Sequence, residues 1–291
     1  MEKYYLKDIL KNSAIKVQDT QSATIYYLRR KNQILKVFNS LYLNVANIAE
    51  IDLEKKILLS EETQMSPYII KPTSIVYDDY NRCVGYTTNF CKEQNLNQYC
   101  SKLTLSEQED LYQFAKLFRN IENAVKTSPN IIIPDLCSCD NILVGKNNTI
   151  KLIDYDGFQV KDTKTAFISS TLGNQEQYIN SPKYYQNDLF TKELDKKSLI
   201  ILYFLTVFNK NLANIGKPIP NMNRKLTLDD IFYDLSLFDN DFNHKVWKIF
   251  NDKDQNEYLG DDVFRIADKY NMTAYTYPYM KNAYIKTLTK K

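Results

Sequence analysis

The segment at residues 134–157 constrains this chain of 291 residues most strongly, because it contains two short apolar runs separated by a polar turn. The runs are Ile142-Leu143-Val144 and Ile150-Lys151-Leu152-Ile153, and Gly145-Lys146-Asn147-Asn148 lies between them. Apolar runs that flank a turn of Gly and Asn are typical of a β-hairpin. We therefore expect a hairpin with polar residues at both of its outer ends.

Acidic and amide side chains flank this predicted hairpin. Asp135 and Asn141 precede it, and Asp154 and Asp156 follow it. Carboxylate and amide oxygens are ligands that Mg²⁺ prefers, so their convergence predicts a divalent-cation site. The alternative is that these residues only cap turns, which is common, but apolar runs ending abruptly in acid on both sides disfavour it. Asp156 precedes Gly157 and is either a second metal ligand or a turn residue; we favour the turn.

The first ninety residues are predicted to form mainly strands, and the remainder mainly helices. Strand patterns rich in β-branched and aromatic residues occur at residues 15–17, 24–28, 33–38, 68–70, 74–77 and 83–87, with one helical pattern at 46–59. Thr104-Leu105-Ser106-Glu107 is a capping box that begins a long helix. A strongly apolar helix is predicted at 194–208. The fold class is therefore α+β, with a hinge at about residues 88–96.

Composition excludes several classes of protein. The 38 basic and 35 acidic residues give a net charge of +3, which indicates no nucleic-acid partner. No apolar run reaches the roughly 18–20 residues of a membrane span, and the first residues lack the apolar core of a signal peptide. Five cysteines without a paired framework favour a reducing compartment. We therefore expect a cytoplasmic protein without a membrane segment.

The scarcity of histidine and glycine limits the kinds of active site and nucleotide-binding motif that this chain can form. An enzyme with a nucleophile–histidine pair would have to use His244, the only histidine of the chain. Only six glycines are present and no two are close in sequence, so neither a Walker A loop nor a dinucleotide fingerprint occurs.

The segment at 134–157 resembles the catalytic loop and the metal-binding motif of the protein kinase family, H-R-D-x-x-x-x-N and D-F-G. The resemblance implies that Asp135 is catalytic, orienting a substrate hydroxyl and accepting its proton. It implies that Asn141 and Asp154 hold Mg²⁺ and contribute to binding the cofactor ATP.

The resemblance extends toward the N-terminus. Ile34-Leu35-Lys36-Val37 is similar to the lysine motif of the third kinase strand, and Glu54 lies on the helix predicted after it. The family pattern implies that Lys36 and Glu54 form an ion pair that binds the α- and β-phosphates of ATP. Glu50 and Glu61 are competing candidates on the same stretch.

The resemblance also extends toward the C-terminus. Tyr178-Ile179-Asn180-Ser181-Pro182-Lys183 resembles the end of an activation segment, where Lys183 replaces a family glutamate and is hypothesised to pair with Glu257. Asp195 lies where the central kinase helix carries an aspartate that binds the backbone of the catalytic loop. Small-molecule phosphotransferases usually lack that aspartate, so the resemblance favours a protein substrate.

Taken together, the resemblance implies a two-lobed kinase-like fold with a β-rich N-lobe at 1–90 and a helical C-lobe at 91–291. It implies transfer of the γ-phosphate of ATP to a protein Ser or Thr hydroxyl. Three departures favour the alternative of an inactive pseudokinase that binds a partner protein: no glycine precedes Gly85, Ile133-Pro134 replaces His-Arg, and Asn141 follows Asp135 by six positions rather than five. A small-molecule kinase is the second alternative.

Overall fold

The structure is a computed structural model that describes residues 1–11, 14–102, 108–165, 172, 175–207, 217–218, 222, 224–234 and 240–250. This part of the chain combines a large sheet in the first ninety residues with several helices farther along, so the predicted α+β class is confirmed. No helix within these ranges is both long and apolar enough to cross a membrane. The proposed boundary between residues 90 and 91 directly follows a strand, and the division into lobes stays a prediction.

The large sheet has six strands in the order β1-β5-β6-β4-β3-β2. Only β1 and β5 are parallel; the other neighbours are antiparallel. Five of the six predicted strand patterns fall in this sheet, whereas Ile69 forms only an isolated bridge to Leu152. The strands are β1 (Glu2–Tyr5), β2 (Ala14–Asp19), β3 (Ala23–Leu28), β4 (Gln33–Phe38), β5 (Pro72–Tyr77) and β6 (Cys83–Asn89).

The described helices lie mainly after the large sheet. Helix α7 is the predicted apolar helix, and its residues 199–204 are all buried. It packs against α5, where the rings of Phe118 and Tyr203 meet edge to face with centroids 4.7 Å apart. The helices are α1 (Leu6–Lys11), α2 (Ser40–Ile48), α3 (Leu53–Glu62), α4 (Leu96–Lys102), α5 (Gln108–Lys126), α6 (Glu176–Ile179), α7 (Lys192–Val207), α8 (Leu228–Asp234) and α9 (Asn240–Phe250).

The single helix predicted at 46–59 is wrong, because the structure forms two helices there. Helix α2 ends before Glu50, whose φ of 54° interrupts the right-handed helix. Asp52 then caps α3 by accepting a hydrogen bond from the backbone N–H of Lys55 at 2.8 Å. The capping box predicted at 104–107 lies outside the described residues.

The predicted hairpin is confirmed. Strand β9 (Ile142–Val144) pairs antiparallel with β10 (Ile150–Leu152), and Asn147 and Asn148 take left-handed backbone angles in the turn. Strand β7 (Gln94–Asn95) adds to the outer side of β9. Two further short antiparallel pairs form separate sheets: β8 (Ile131–Ile132) with β11 (Gln159–Val160), and β12 (Tyr185–Gln186) with β13 (Leu189–Phe190).

Gly85 permits the close approach of β6 to β4, where it lies opposite Val37. A Cβ atom at Gly85 would collide with the backbone carbonyl oxygen of Lys36. We expect Gly85→Ala to lower the free energy of unfolding by about 2–3 kcal/mol, because both strands are fixed in the sheet and must shift. Urea unfolding measures this. Gly157→Ala is the matched control, since a Cβ there comes no nearer than 4.0 Å to its surroundings; equal losses in both variants would contradict the argument.

Candidate functional site

Asp135 and Asn141 are joined in the loop before the hairpin. The Asn141 side-chain amide donates a hydrogen bond of 2.6 Å to the Asp135 carboxylate. Two successive turns close this loop, because the Ser138 N–H donates to the Asp135 carbonyl at 3.0 Å and the Asn141 N–H donates to the Ser138 carbonyl at 3.1 Å. The second turn, Cys139–Asn141, is a 3₁₀ helix. These turns take up the additional residue between Asp135 and Asn141 and bring the two side chains together.

Asp154 meets this pair at the end of β10. The N–H of Ile153 donates to the backbone carbonyl of Asn141 at 3.0 Å, which fixes the start of the next segment beside the loop. Asp154 itself has left-handed backbone angles, φ 71° and ψ 48°, a conformation that Asp tolerates better than most residues. Partial burial and the nearby charges of Asp156 and Asp135 raise the pKa of Asp154, although the charge of Lys36 opposes this rise. The three predicted polar residues are therefore neighbours.

Lys36 reaches the same place from the centre of strand β4. Its ammonium group forms ion pairs with Asp154 and, at 2.7 Å, with Asp156. Burial alone would lower the pKa of Lys36, but the charges of Asp156 and Asp154 raise it above its ordinary value. Lys36 is therefore a buried permanent cation. The structure brings it together with Asp154, a residue 118 positions away.

Asp156 is the functional candidate that sequence reasoning missed. It lies in a turn, as predicted, within the 3₁₀ segment Tyr155–Gly157. Its carboxylate is also buried and accepts hydrogen bonds from Lys36 and, at 2.7 Å, from the Tyr86 hydroxyl, which the sequence did not indicate. Tyr42 is close enough that the charge of Asp156 adds to burial in raising the pKa of that tyrosine. Burial opposes ionisation of Asp156, but the charges of Lys36 and Lys56 and the hydrogen bonds from Lys36 and Tyr86 together lower the pKa of the carboxyl.

Lys56 supports the backbone of the same segment from helix α3. Its side chain is buried and donates a hydrogen bond of 2.9 Å to the Asp156 carbonyl. Burial lowers the pKa of Lys56 to about 8. Sequence could have found this lysine, because it lies on the apolar stripe of α3 with Leu53, Ile57 and Ser60, at helical spacing.

The predicted ion pair between Lys36 and Glu54 is not formed. The Glu54 carboxylate instead accepts a hydrogen bond of 2.6 Å from the Tyr77 hydroxyl. The two competing glutamates also have other partners: Glu50 pairs with Lys164 at 3.1 Å, and Glu61 with the terminal amine at 2.6 Å. The pairing was wrong because sequence order cannot tell which side of a short helix faces the sheet. A contribution of Glu54 to nucleotide binding stays a prediction.

Asp195 anchors the loop to the buried helix α7, as predicted. Its carboxylate is fully buried and accepts a hydrogen bond of 2.7 Å from the backbone N–H of Ile133, two residues before Asp135. Its other oxygen pairs with Lys192 at 2.7 Å. Lys183 lies 3.7 Å from Glu193, and its hypothesised partner Glu257 lies outside the described residues.

The turn between β2 and β3 is the segment where the resemblance to protein kinases implies a phosphate-binding loop. Thr20 closes the turn, because its N–H and hydroxyl both donate to the Ala23 carbonyl, at 2.8 and 2.9 Å. Asn39 then ties the turn to the start of α2, with its N–H bonded to the Ser22 carbonyl at 2.9 Å and its amide to the Gln21 carbonyl at 2.6 Å. Side-chain hydrogen bonds thus fix a turn that contains no glycine.

The oxygen donors of the site fit a magnesium ion in their chemistry. The Asp154 side chain is 41% exposed although it pairs with Lys36, so a cation can reach it. The Asn141 amide nitrogen is engaged by Asp135, which leaves its side-chain oxygen as the donor. Over the described residues, no three His, Cys, Asp or Glu side chains form a metal-binding group. A magnesium site here would therefore combine a carboxylate with an amide rather than use a cluster of acids.

No protein-family model matches the sequence, and no curated protein matches it significantly.

Proposed function

We propose that this chain is an ATP- and Mg²⁺-dependent phosphotransferase with a two-lobed, protein-kinase-like architecture. One observation carries the proposal: Lys36, Asp154 and the bonded pair Asp135–Asn141 meet at one place from separate elements. A buried cation, an accessible carboxylate, an amide oxygen and a second carboxylate are the groups that phosphate transfer requires.

Each residue has a distinct role in this proposal. The Lys36 ammonium binds phosphate oxygens of ATP, since it remains charged while buried. Asp154 and Asn141 would hold Mg²⁺, which supplies positive charge against the negative charge of the phosphates. Asp135 orients the hydroxyl of the acceptor and takes its proton. The hydrogen bond from Asn141 fixes the Asp135 carboxylate in one orientation, which such a role needs.

A protein Ser or Thr hydroxyl is the proposed acceptor. The support is the buried contact between Asp195 and the backbone of Ile133, because small-molecule phosphotransferases with similar motifs usually lack this aspartate. The N-lobe at 1–90 would carry Lys36, and the C-lobe at 91–291 would carry the other site residues. A small-molecule acceptor is disfavoured by the same contact.

The fixed turn between β2 and β3 favours a second candidate function, a pseudokinase that binds a partner protein. Glycine lets a backbone approach phosphate groups closely, and residues 19–23 contain none. The hydrogen bonds from Thr20 and Asn39 hold this turn against α2. A turn held in this way contributes less to enclosing the phosphates, and this would lower the rate of transfer.

The deciding experiment is transfer of labelled γ-phosphate from ATP by the full chain, with and without Mg²⁺. Self-labelling and labelling of a generic protein acceptor are both measured, alongside the thermal shift caused by Mg²⁺-ATP. Magnesium-dependent labelling of Ser or Thr supports the proposed function. A thermal shift without labelling indicates the pseudokinase. If Mg²⁺-ATP causes no thermal shift and no labelling occurs, both the phosphotransferase and the nucleotide-binding pseudokinase are overturned.

A further inference from the structure

We propose that Asp156 positions Lys36 for nucleotide binding, in place of a glutamate from helix α3. The inference rests on the proposed function and assigns a role that the family pattern gives to a different element. Asp156 is a positioning residue in this proposal, since it acts through Lys36 and does not touch the nucleotide.

The surroundings of the Asp156 carboxylate make it a rigid anchor. Its side chain is only 4% exposed, and it accepts hydrogen bonds from both Lys36 and Tyr86 at 2.7 Å. The Tyr42 side chain also lies near it. A buried carboxylate held by a cation and a hydroxyl cannot turn away without leaving an unpaired charge, which is costly. Asp156 therefore fixes the position of the Lys36 ammonium.

The two carboxylates that contact Lys36 differ in their accessibility. The Asp154 side chain is 41% exposed and lies beside Asp135 and Asn141, whereas Asp156 is enclosed. When Asp154 binds a cation, its charge is shared and its hold on Lys36 weakens. The contact with Asp156 remains. Lys36 thus keeps one permanent partner, and its other partner is free for the metal.

Helix α3 supplies a cation where a glutamate was predicted. Lys56 points into the site and bonds the Asp156 carbonyl at 2.9 Å, while Glu54 points toward Tyr77. Two buried lysines on opposing elements require a negative charge between them. Asp156 provides that charge, so the helix and the strand are joined through it. The position of Lys36 is consequently set by the segment that also carries Asp154.

The test is the dissociation constant for Mg²⁺-ATP, measured by calorimetry on the full chain and its variants. We expect Asp156→Asn to weaken binding about tenfold or more, since a charge-assisted hydrogen bond to Lys36 is lost. Glu54→Gln tests the competing glutamate, and we expect it to weaken binding less than Asp156→Asn does. Asp162→Asn is the matched control, because Asp162 is an exposed acid paired with Lys55.

A double-mutant cycle separates positioning from a merely structural role. In the Lys36→Met background, Asp156→Asn should cause no further loss of ATP affinity, because the group it positions is absent. Should Asp156→Asn fail to fold, Tyr86→Phe removes one hydrogen bond to Asp156 but keeps the charge, and we expect about threefold weaker binding.

Four results would overturn the inference. Unchanged affinity in a folded Asp156→Asn is one. The second is an equal loss of ATP affinity when Asp156→Asn is made in the wild-type chain and in the Lys36→Met background. The third is a larger loss of ATP affinity from Glu54→Gln than from Asp156→Asn. Unchanged affinity in Tyr86→Phe, when Asp156→Asn cannot be folded, is the fourth. If the wild-type chain does not bind Mg²⁺-ATP, the proposed function fails, and this inference fails with it.

Discussion

Replacing Asp135 with asparagine is expected to slow phosphate transfer about a thousandfold, while the dissociation constant for Mg²⁺-ATP stays within about twofold. The amide cannot accept the proton of the acceptor hydroxyl, but it can still accept the hydrogen bond that Asn141 donates at 2.6 Å. The loop therefore keeps its shape and loses only its base. Single-turnover transfer at saturating Mg²⁺-ATP measures the chemical step, and calorimetry measures binding.

Asp135→Ala separates the loss of the base from the loss of loop structure. Alanine removes the acceptor for Asn141 as well, so we expect this variant to weaken Mg²⁺-ATP binding in addition to slowing transfer. Asp162→Asn removes a charge from an exposed ion pair with Lys55 and should transfer phosphate at the wild-type rate. Transfer at the wild-type rate by Asp135→Asn would contradict the role of Asp135.

Replacing Asp195 with alanine is expected to lower the free energy of unfolding by about 3–5 kcal/mol, the largest stability effect that we predict. Its buried carboxylate accepts a hydrogen bond from the Ile133 N–H and pairs with Lys192. Alanine leaves a buried N–H and a partly buried ammonium group without this acceptor, and unsatisfied groups of this kind are expensive. Urea unfolding followed by circular dichroism measures the change, provided that the m-value is constant.

Asp195→Asn distinguishes the two contacts of that carboxylate. The asparagine side-chain oxygen can still accept the hydrogen bond from Ile133, but the charge opposite Lys192 is lost. We expect the free energy of unfolding of Asp195→Asn to lie between those of the wild type and Asp195→Ala. The free energy of unfolding of the Asp162→Asn control should be within about 0.5 kcal/mol of the wild-type value. An alanine variant as stable as this control would show that the anchor is dispensable for folding.

Local patterns in the sequence were sufficient to predict the parts of the site that depend on neighbours in the chain. The hairpin and the buried helix α7 are both found in the structure. The contact from Asp195 to the backbone of Ile133 is also found, but it followed from the family resemblance and joins residues 62 positions apart. The strands of the large sheet from β2 to β6 were also predicted, because alternation and β-branched residues are local properties. The contact between Lys36 and Asp154 joins residues 118 positions apart and was not predicted.

The partners of Lys36 could not be predicted, because they depend on which face of each element points inward. Glu54 and Lys56 are two positions apart on α3, so they project in different directions from the helix. The break between α2 and α3 settles that orientation, and it depends on the left-handed residue Glu50, which carries no sequence signal. Strand β1 was missed for a related reason: its four residues are held by parallel pairing to β5 rather than by their own propensity.

The long separation in sequence between Asp156 and the two lysines Lys36 and Lys56 has a consequence for folding during synthesis. Both lysines belong to the first sixty residues, yet the groups that satisfy them lie 120 and 100 positions farther along. Burying an ammonium group without a partner is strongly unfavourable, so in a nascent chain that ends before Asp156 we expect both lysines to stay hydrated. We therefore expect the packing around Lys36 and Lys56 to be completed only after the segment with Asp156 has been synthesised.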